Sequence, residues 1–485
     1  MKVLVFGDYE NKLFDNSIEI IKANMNNIII TNQILIINPD IVICVNNNIL
    51  NTILSSYCNI INVKYIYIND TLYNDSINDI LGYCKPINLC LCCKSENKLL
   101  LDLGYQPLAN NFHKENELCN VYPLKLMYCI NCYHCQLSHA VNPEILFKDY
   151  KYISGTSQTG LKFFKQNAEF ISEYKNLKNG KILDIACNDG SQLNYFKVLG
   201  WETYGVDPAE NLCPIARSKG HNIICDFWNN ESALMLPIMD VIIAQNVFAH
   251  TQYIDLFLES CKLIMNRNTS LFIQTSQRDM IVNGEFDTTY HEHISFFNTK
   301  SMKLLVERNG LVLNRVLESD IHGHSYIFEI KLYKDDSIYD VDKHLENEEN
   351  LGLYSNEIYM KFNLNAEKSI QNIKNEISNY DGYKIIGFGA AAKGQTFLCY
   401  GNINLDYIID ENPFKIGTYS PKLDIPIVDI NHFVNDSSNN KFLVIILAWN
   451  FSTEIKEKLK RIKGDKEIIV IEKYFPEIIS TIITD

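Results

Sequence analysis

Residues 181–193, KILDIACNDGSQL, place a short apolar run, an acid near its end at Asp184, and a turn of small and turn-forming residues closing at Gly190. A strand that passes through a tight turn into a helix is the opening unit of a doubly wound sheet. WETYGVD (201–207), HNIICDFW (221–228), MDVIIAQNV (239–247) and TSLFIQT (269–275) supply four further strand-like runs, with helical stretches between the first several. The middle of the chain therefore reads as an α/β sheet.

Toward the C-terminus, the acidic stretch Lys343–Asn356 (KHLENEENLGLYSN) leads into a long helical pattern ending near Tyr380, and YKIIGFGAAAKG (383–394) opens a second α/β set. Toward the N-terminus, between Cys90 and Tyr150, cysteines cluster and helical periodicity fades. Residues 1–86 alternate apolar runs (Val3–Phe6, Asn27–Ile30, Asp40–Val45, Tyr65–Ile68) with polar, helix-length stretches, as in a small α/β unit. Its first strand is followed by a single glycine, so no G-x-G-x-x-G turn is present and no cofactor is placed there. The expected units are 1–86, a small α/β domain of unknown role; 87–150, a metal-stapled lobe; 151–345, the doubly wound domain; and 346–485, a second Rossmann-like α/β domain.

A chain of 485 residues is long enough for about three domains. With 47% hydrophobic and 21% charged residues it is neither disordered nor fibrous, and no apolar run reaches the ~20 residues of a membrane span. Its 44 basic and 58 acidic residues give a net charge of −14, which argues against a grip on nucleic acid backbone. Fifteen cysteines, with no secretory signal in MKVLVFGDYE, fit reduced thiols plus a metal site in the cytoplasm.

Cys90 and Cys93 form one C-x2-C in NLCLCCK, and Cys129 and Cys132 form another in MYCINCYHC, 35 residues apart. Two such pairs complete the four-thiolate tetrahedron that Zn²⁺ prefers, and four protein ligands leave no open position, so the zinc is expected to be structural. Cys92 and Cys135 offer alternative pairings; ordinary buried thiols and an iron–sulfur cluster are the competing readings.

Twenty-three residues after Asp184, the second strand ends at Asp207, where a doubly wound fold holds a ribose-binding carboxylate. The turn Ala186–Gly190 lacks the three-glycine spacing of a pyrophosphate site, which disfavours NAD. S-adenosylmethionine needs only a tight turn, a carboxylate for the ribose, and an acid plus an aromatic for the adenine, which Asp226 and Phe227 supply. NAD and a non-binding sheet are the alternatives.

GEFDTTYHEHISFF (284–297) packs Tyr290, His291, Glu292 and His293 together after the last central strand. An extended backbone there would put His291 and His293 on one face, so that one imidazole could act as base while a neighbour orients it. His250 closes the fourth strand on the same carboxyl edge of the sheet, where such folds bind ligands.

Taken together, the two cysteine pairs, LDLGYQPLANNF (101–112), YKYISGTS (150–157), DIACNDGSQL, NVFAH (246–250), GEFDTTYHEHISFF, HGHS (322–325), GFGAAAKGQT (387–396) and LAWNFSTEI (447–455) resemble the three-domain, zinc-containing sugar C-methyltransferases that act on nucleotide-linked deoxyketosugars. The likeness covers roughly residues 88–480. It implies a zinc lobe, a class I methyltransferase domain, and a C-terminal Rossmann-like domain closing over a nucleotide sugar. It further implies His293 as general base with Tyr290, Glu292 and His250 beside the sugar. Asp184, Ala186, Asn188, Gly190, Asp207, Asp226, Phe227 and Gln245 fall on the S-adenosylmethionine contacts. Tyr152, His322, Ser325, Gly387, Gly389, Lys393 and Gly394 fall on substrate-lining positions. The family usually shows a Gly–Thr type of turn before the Ile-Pro-Ile run, whereas this chain has SPKLDIPI (420–427).

The expected activity is methyl transfer from S-adenosylmethionine to a ring carbon of a nucleotide-linked keto-deoxysugar. Sugar O-methylation, and a non-catalytic scaffold that binds the methyl donor, are the rival readings. A nucleotide sugar is the expected partner, without nucleic acid or membrane; the oligomeric state is left open, a monomer included.

Overall fold

The run Lys181–Ile185 is the middle of a seven-stranded sheet whose order is Asn222–Ile224, Glu202–Val206, Lys181–Ile185, Val241–Gln245, Ser270–Thr275, Ser325–Lys331, Val312–Ser319. The first five are mutually parallel, as right-handed crossovers through helices require; Ser325–Lys331 and Val312–Ser319 close the edge as an antiparallel pair. The central strands Lys181–Ile185, Val241–Gln245 and Ser270–Thr275 are almost wholly buried because both faces of such a sheet are covered. The chain reverses direction across the sheet between Lys181–Ile185 and Val241–Gln245, which opens a crevice at their carboxyl ends. In this computed structural model the described residues are 2–6, 19–22, 41–45 and 64–68, and from 84 to 484 all except 116, 118, 149, 151–152, 157, 178, 276–278, 320–324, 335–340 and 438–439.

The N-terminal unit holds four parallel strands in the order Glu19–Lys22, Lys2–Phe6, Ile41–Val45, Lys64–Ile68. Three of them coincide with apolar runs of the sequence. The fourth, EIIK, precedes the run Asn27–Ile30, which lies outside the described residues.

The cysteine lobe is a four-stranded antiparallel sheet ordered Ser295–Phe296, Cys135–Leu137, Val121–Cys129, Asn97–Pro107. Its first strand comes from the Tyr290–Phe297 stretch, more than a hundred residues away in sequence, so the lobe is completed by the segment that follows the histidines. The long helix Asn356–Ile377 starts where the Ser355 side chain accepts a hydrogen bond from Glu357 N at 3.2 Å, and it buries Tyr359, Phe362, Ala366, Ser369 and Ile373 along one stripe. Tyr359 stacks on Tyr128 of the lobe with ring centroids 4.7 Å apart. One core joins the cysteine quartet to the central sheet, and another joins the lobe's sheet to the C-terminal domain, so the lobe is wedged between the two α/β units.

The C-terminal sheet is ordered Ile427–Val428, Tyr407–Ile409, Lys384–Phe388, Lys441–Ile446, Glu467–Lys473, Ile479–Ile482, with only the last strand antiparallel. Its glycines Gly387, Gly389 and Gly394 are closely packed, and none of them lines the cavity described below. Gly389 has φ +85°, and a Cβ there would sit 2.6 Å from the Ala448 Cβ; one on Gly394 would sit 2.5 Å from the Leu447 Cβ. Gly387 is likewise enclosed by Leu447, Leu405 and Ile408. Gly394→Ala is therefore expected to cost about 1–3 kcal/mol by overpacking the helix Ala392–Gly401 against the strand end. A melting temperature equal to that of the parent would refute this.

Candidate active site

A cavity of about 830 Å³ opens at the carboxyl edge of the central sheet and reaches across to the C-terminal domain. Its first half is built by the turn after Lys181–Ile185. Ala186 and Asn188 both hold left-handed backbone at φ 61° and 52°, a conformation that costs a non-glycine residue roughly 1–2 kcal/mol. The turn is fixed in return: Asp207 Oδ2 accepts Asn188 N at 2.8 Å, Asp207 Oδ1 accepts Ala209 N at 2.8 Å, and Asn188 Oδ1 accepts Ser154 N at 3.0 Å. Burial pushes the Asp184 carboxyl well above its ordinary range, and the neighbouring Asp207 adds to this. Asp207 is also raised by burial, while its two N–H donors pull the other way.

Asp184, Ala186, Asn188, Asp207, Phe227 and Gln245 all line this half. Two expected residues do not. Gly190 sits one step beyond, at φ 74° before the helix Ser191–Val198, because that turn must reverse there; a Cβ on it would meet His221. Asp226 is exposed and accepts Phe227 N at 2.7 Å instead of facing inward. Four buried polar atoms in the wall, Gln192 Nε2, Gln245 Oε1, Asn246 Oδ1 and Gln274 Oε1, have no hydrogen-bond partner in the protein. Unpaired buried polar groups are costly, and an adenosyl-methionine group carries the amine, carboxylate and hydroxyls that would satisfy them.

The second half is built around Tyr290–His293. The segment is not extended, as the alternation argument expected, but a tight turn: His293 N donates to Tyr290 O at 2.9 Å, which brings side chains three residues apart together. Tyr290 OH and His293 Nε2 lie 2.6 Å apart, and His293 Nδ1 lies 2.9 Å from Thr288 O. A carbonyl only accepts, so Nδ1 carries the proton and Nε2 of the neutral ring holds a lone pair facing the Tyr290 hydroxyl. Burial, then Glu292 and Asp287, push the Tyr290 phenol well above its ordinary range. Glu292 Oε1 accepts Asn110 Nδ2 at 2.6 Å and Oε2 accepts Tyr150 OH at 3.4 Å; burial raises its carboxyl. His250 lines the same wall with its ring centroid 5.2 Å from that of His293. His291 turns away, with Nε2 3.3 Å from Tyr122 O in the lobe.

Of the remaining expected substrate contacts, Lys393 lines the cavity. Ser325 stands one layer behind, accepting Gln274 Nε2 at 3.2 Å. Tyr152 and His322 lie outside the described residues. Asn110, Tyr150 and Lys415 line the wall without having been singled out. Asn110 and Tyr150 sit inside quoted motifs, LDLGYQPLANNF and YKYISGTS, but only the tertiary arrangement aims them at Glu292. Lys415 Nζ donates to Ala390 O at 2.8 Å, and its buried position lowers its pKa.

The cysteine quartet repeats one hairpin twice. Lys94 N donates to Cys90 O at 2.9 Å and Tyr133 N to Cys129 O at 2.8 Å, and Lys94 and Tyr133 share left-handed backbone at φ 63° and 58°. The Sγ atoms of Cys90, Cys93, Cys129 and Cys132 all lie within 4.8 Å of one another, with 3.5 Å between Cys90 and Cys132 and 3.4 Å between Cys93 and Cys129. A zinc tetrahedron with Zn–S of ~2.3 Å has edges of roughly 3.8 Å, so the quartet fits that ion. Hydrogen bonds to Cys129 and Cys132 hold Cys90 well below the usual thiol range. Cys92 and Cys135 are buried outside the quartet, and burial raises both thiols.

Burial pushes the His250 and His291 imidazoles down from 6.5 to about 4. Their folded values lie below the unfolded one, so their contribution is fully present above pH 6.5 and is lost as the pH falls toward 4. At one pKa unit per ~1.4 kcal/mol, each ring's contribution is about 3 kcal/mol. Between pH 6.5 and 4.5 calorimetry should show His291→Gln losing less melting temperature than the parent, and equal losses would refute the burial argument for His291.

Three family models match in series: a zinc binding domain at residues 90–147, a methyltransferase domain at 159–316 and a C-methyltransferase C-terminal domain at 320–472. C-methyltransferase NovU of Streptomyces niveus is 25% identical over 415 residues, which is 82% of this chain and 98% of that protein. The mitochondrial ubiquinone biosynthesis O-methyltransferase of Mus musculus is 24% identical over 162 residues, 29% of this chain and 44% of that protein. The structure of magnesium protoporphyrin IX methyltransferase from Synechocystis PCC 6803 with bound SAM shares 14% identity at a TM-score of 0.29, covering 36% of this chain and 79% of that one. Among the described residues no helix is long and apolar enough to cross a membrane. With the three domains in one order and NovU aligned along nearly its whole length, the chain carries the zinc binding, methyltransferase and C-methyltransferase C-terminal domains of an S-adenosylmethionine-dependent C-methyltransferase.

Proposed function

We propose that the protein methylates a ring carbon of a nucleotide-linked keto-deoxysugar, with His293 as the base that removes the proton beside the ketone. The observation that carries this is the Tyr290–His293 pair, 2.6 Å apart in the wall of the cavity that also holds Asp184 and Asp207. S-adenosylmethionine supplies an electrophilic methyl group, held by the half built from Asp184, Ala186, Asn188, Asp207, Phe227 and Gln245.

The phenol of Tyr290 is too weak an acid to serve as the base, because burial raises it. It acts as a donor. At rest it donates to His293 Nε2; when a ketone enters, the ketone oxygen takes over that hydrogen bond. The Nε2 lone pair is then released for the proton on the adjacent carbon, and the charge that develops on oxygen meets the Tyr290 hydroxyl. Thr288 O keeps the ring in the tautomer with a basic Nε2. His250 and Glu292 enclose the sugar ring. Lys393 and Lys415, buried cations on the C-terminal side, suit the diphosphate of a nucleotide sugar. The reading divides the chain into the 1–86 unit, a zinc lobe at 87–150, a methyltransferase domain at 151–345 and a sugar-nucleotide domain at 346–485, acting in the cytoplasm.

The test is incubation with methyl-labelled S-adenosylmethionine and a panel of nucleotide-linked keto and hydroxy sugars, followed by mass spectrometry and NMR of the product. A new carbon–carbon bond is expected, together with deuterium uptake from solvent at that ring carbon when the methyl donor is omitted. Label on oxygen, or on no sugar at all, would overturn the reading.

A further inference from the structure

Three residues before Tyr290, Asp287 is fully buried at the contact between the catalytic turn and the C-terminal domain. Its Oδ2 accepts two hydrogen bonds from that domain, from Trp449 Nε1 at 2.8 Å and from Tyr474 OH at 2.6 Å. Its Oδ1 has no hydrogen-bond partner. Lys393, the cavity-lining cation, faces Asp287 and Glu285 electrostatically and lies over the Trp449 ring at 4.1 Å; Lys473 faces the same group. Phe286 packs on Phe475 and Tyr400, so the backbone on the near side of Asp287 is clamped too.

The residue after Asp287 is Thr288, whose carbonyl accepts the hydrogen bond from His293 Nδ1. Thr288 is itself held by its N–H and its hydroxyl, which donate to Glu285 O at 3.2 Å and 2.8 Å. Among the described residues no side chain of the central domain bonds to the Asp287 carboxylate, so the hydrogen bonds next to Thr288 come from the C-terminal domain and add to the Glu285 contacts that hold Thr288 itself.

We propose that Asp287 is a positioning residue through which the C-terminal domain sets the tautomer of His293: Trp449 and Tyr474 clasp its carboxylate, the clasp aims the Thr288 carbonyl at Nδ1, and Nε2 is left basic toward the cavity. The proposal rests on the reading of His293 as the base. It makes the C-terminal domain more than a cover for the substrate, because seating that domain completes the orientation of the base.

The test compares Trp449→Phe, which keeps a ring under Lys393 but removes the N–H, with Tyr474→Phe, the two combined, and Asp287→Asn and Asp287→Ala, all in the full chain. Nitrogen-15 NMR of labelled histidine, with the His293 signal assigned by its loss in His293→Ala, reads the tautomer without substrate. The parent is expected to show a single Nδ1–H tautomer, and the combined variant a mixture. With a nucleotide-linked keto-deoxysugar as acceptor, kcat should fall about tenfold in each single Phe variant and about a hundredfold in the pair, while KM, S-adenosylhomocysteine affinity and zinc content stay within twofold. Asp287→Asn, which still accepts both hydrogen bonds, should recover most of what Asp287→Ala loses. An unchanged tautomer with unchanged kcat in the combined variant would overturn the proposal, as would a fall in melting temperature alone. If His293→Ala is itself active, the base reading fails instead; if His293→Ala is inactive and the clasp variants are like the parent, only the clasp fails. Should Asp287→Ala not fold, the two Phe variants decide the matter.

Discussion

His293→Ala is expected to lower kcat by about 10²–10⁴, the usual cost of removing a general base. Affinity for S-adenosylhomocysteine should be unchanged, because the turn of Ala186 and Asn188 and the carboxylate of Asp207 hold that half of the cavity without help from the imidazole. Deuterium uptake at the ring carbon should vanish with the methyl transfer, since both need the same proton removed. Tyr290→Phe should lower kcat by about 10²–10³ through loss of the donor to the developing oxyanion, while leaving Nε2 as a base. A His293→Ala enzyme that transfers methyl at the parent rate would remove His293 from the role.

Cys90→Ser or Cys129→Ser should release close to one equivalent of zinc and lower the melting temperature of the cysteine lobe. Structural zinc contributes on the order of 10 kcal/mol to small zinc domains, and a serine hydroxyl does not replace a thiolate in a four-sulfur shell. The effect should reach the active site. Ser295–Phe296, two residues past His293, is a strand of that lobe, paired with Cys135 and Gln136, and Asn298 Nδ2 donates to Cys132 O at 3.3 Å and Tyr133 O at 2.8 Å. Loss of metal is therefore expected to lower kcat together with stability. Cys92→Ser and Cys135→Ser should keep the metal, because their sulfurs lie outside the quartet. Full zinc content in Cys90→Ser, measured by mass spectrometry of the metal, would overturn the assignment.

Much of the central sheet was legible because its signal is local. Strands such as Val241–Gln245 and Ser270–Thr275 are largely apolar runs, and Asp184 and Asp207 stand at fixed places relative to their strand ends, so their shared crevice follows from topology. The cysteine pairs were legible for a similar reason: each C-x2-C presents two thiols within one turn, and both turns take the same backbone form. What the sequence did not show is how tightly Gly389 and Gly394 are packed: the space that a Cβ would need is filled by Ala448 and Leu447, residues more than fifty positions away.

The run Tyr290–His293 shows where the division lies. Its density of titratable groups marked it in the sequence, but alternation paired the wrong residues, His291 with His293. A turn with Tyr290 O accepting His293 N pairs Tyr290 with His293 instead and sends His291 into the lobe. By itself the sequence determined which elements exist, which chemistry-bearing residues sit at their ends, and where the two C-x2-C pairs lie, since these depend on periods of two to four residues. Only the tertiary structure decided that Asn110 and Tyr150 grip Glu292, that Cys90, Cys93, Cys129 and Cys132 meet while Cys92 and Cys135 stay apart, that the lobe borrows a strand from the segment following His293, and that Trp449 and Tyr474 close on Asp287. Those contacts join residues far apart along the chain, and their geometry is set by how rigid units pack against one another, which no local pattern encodes.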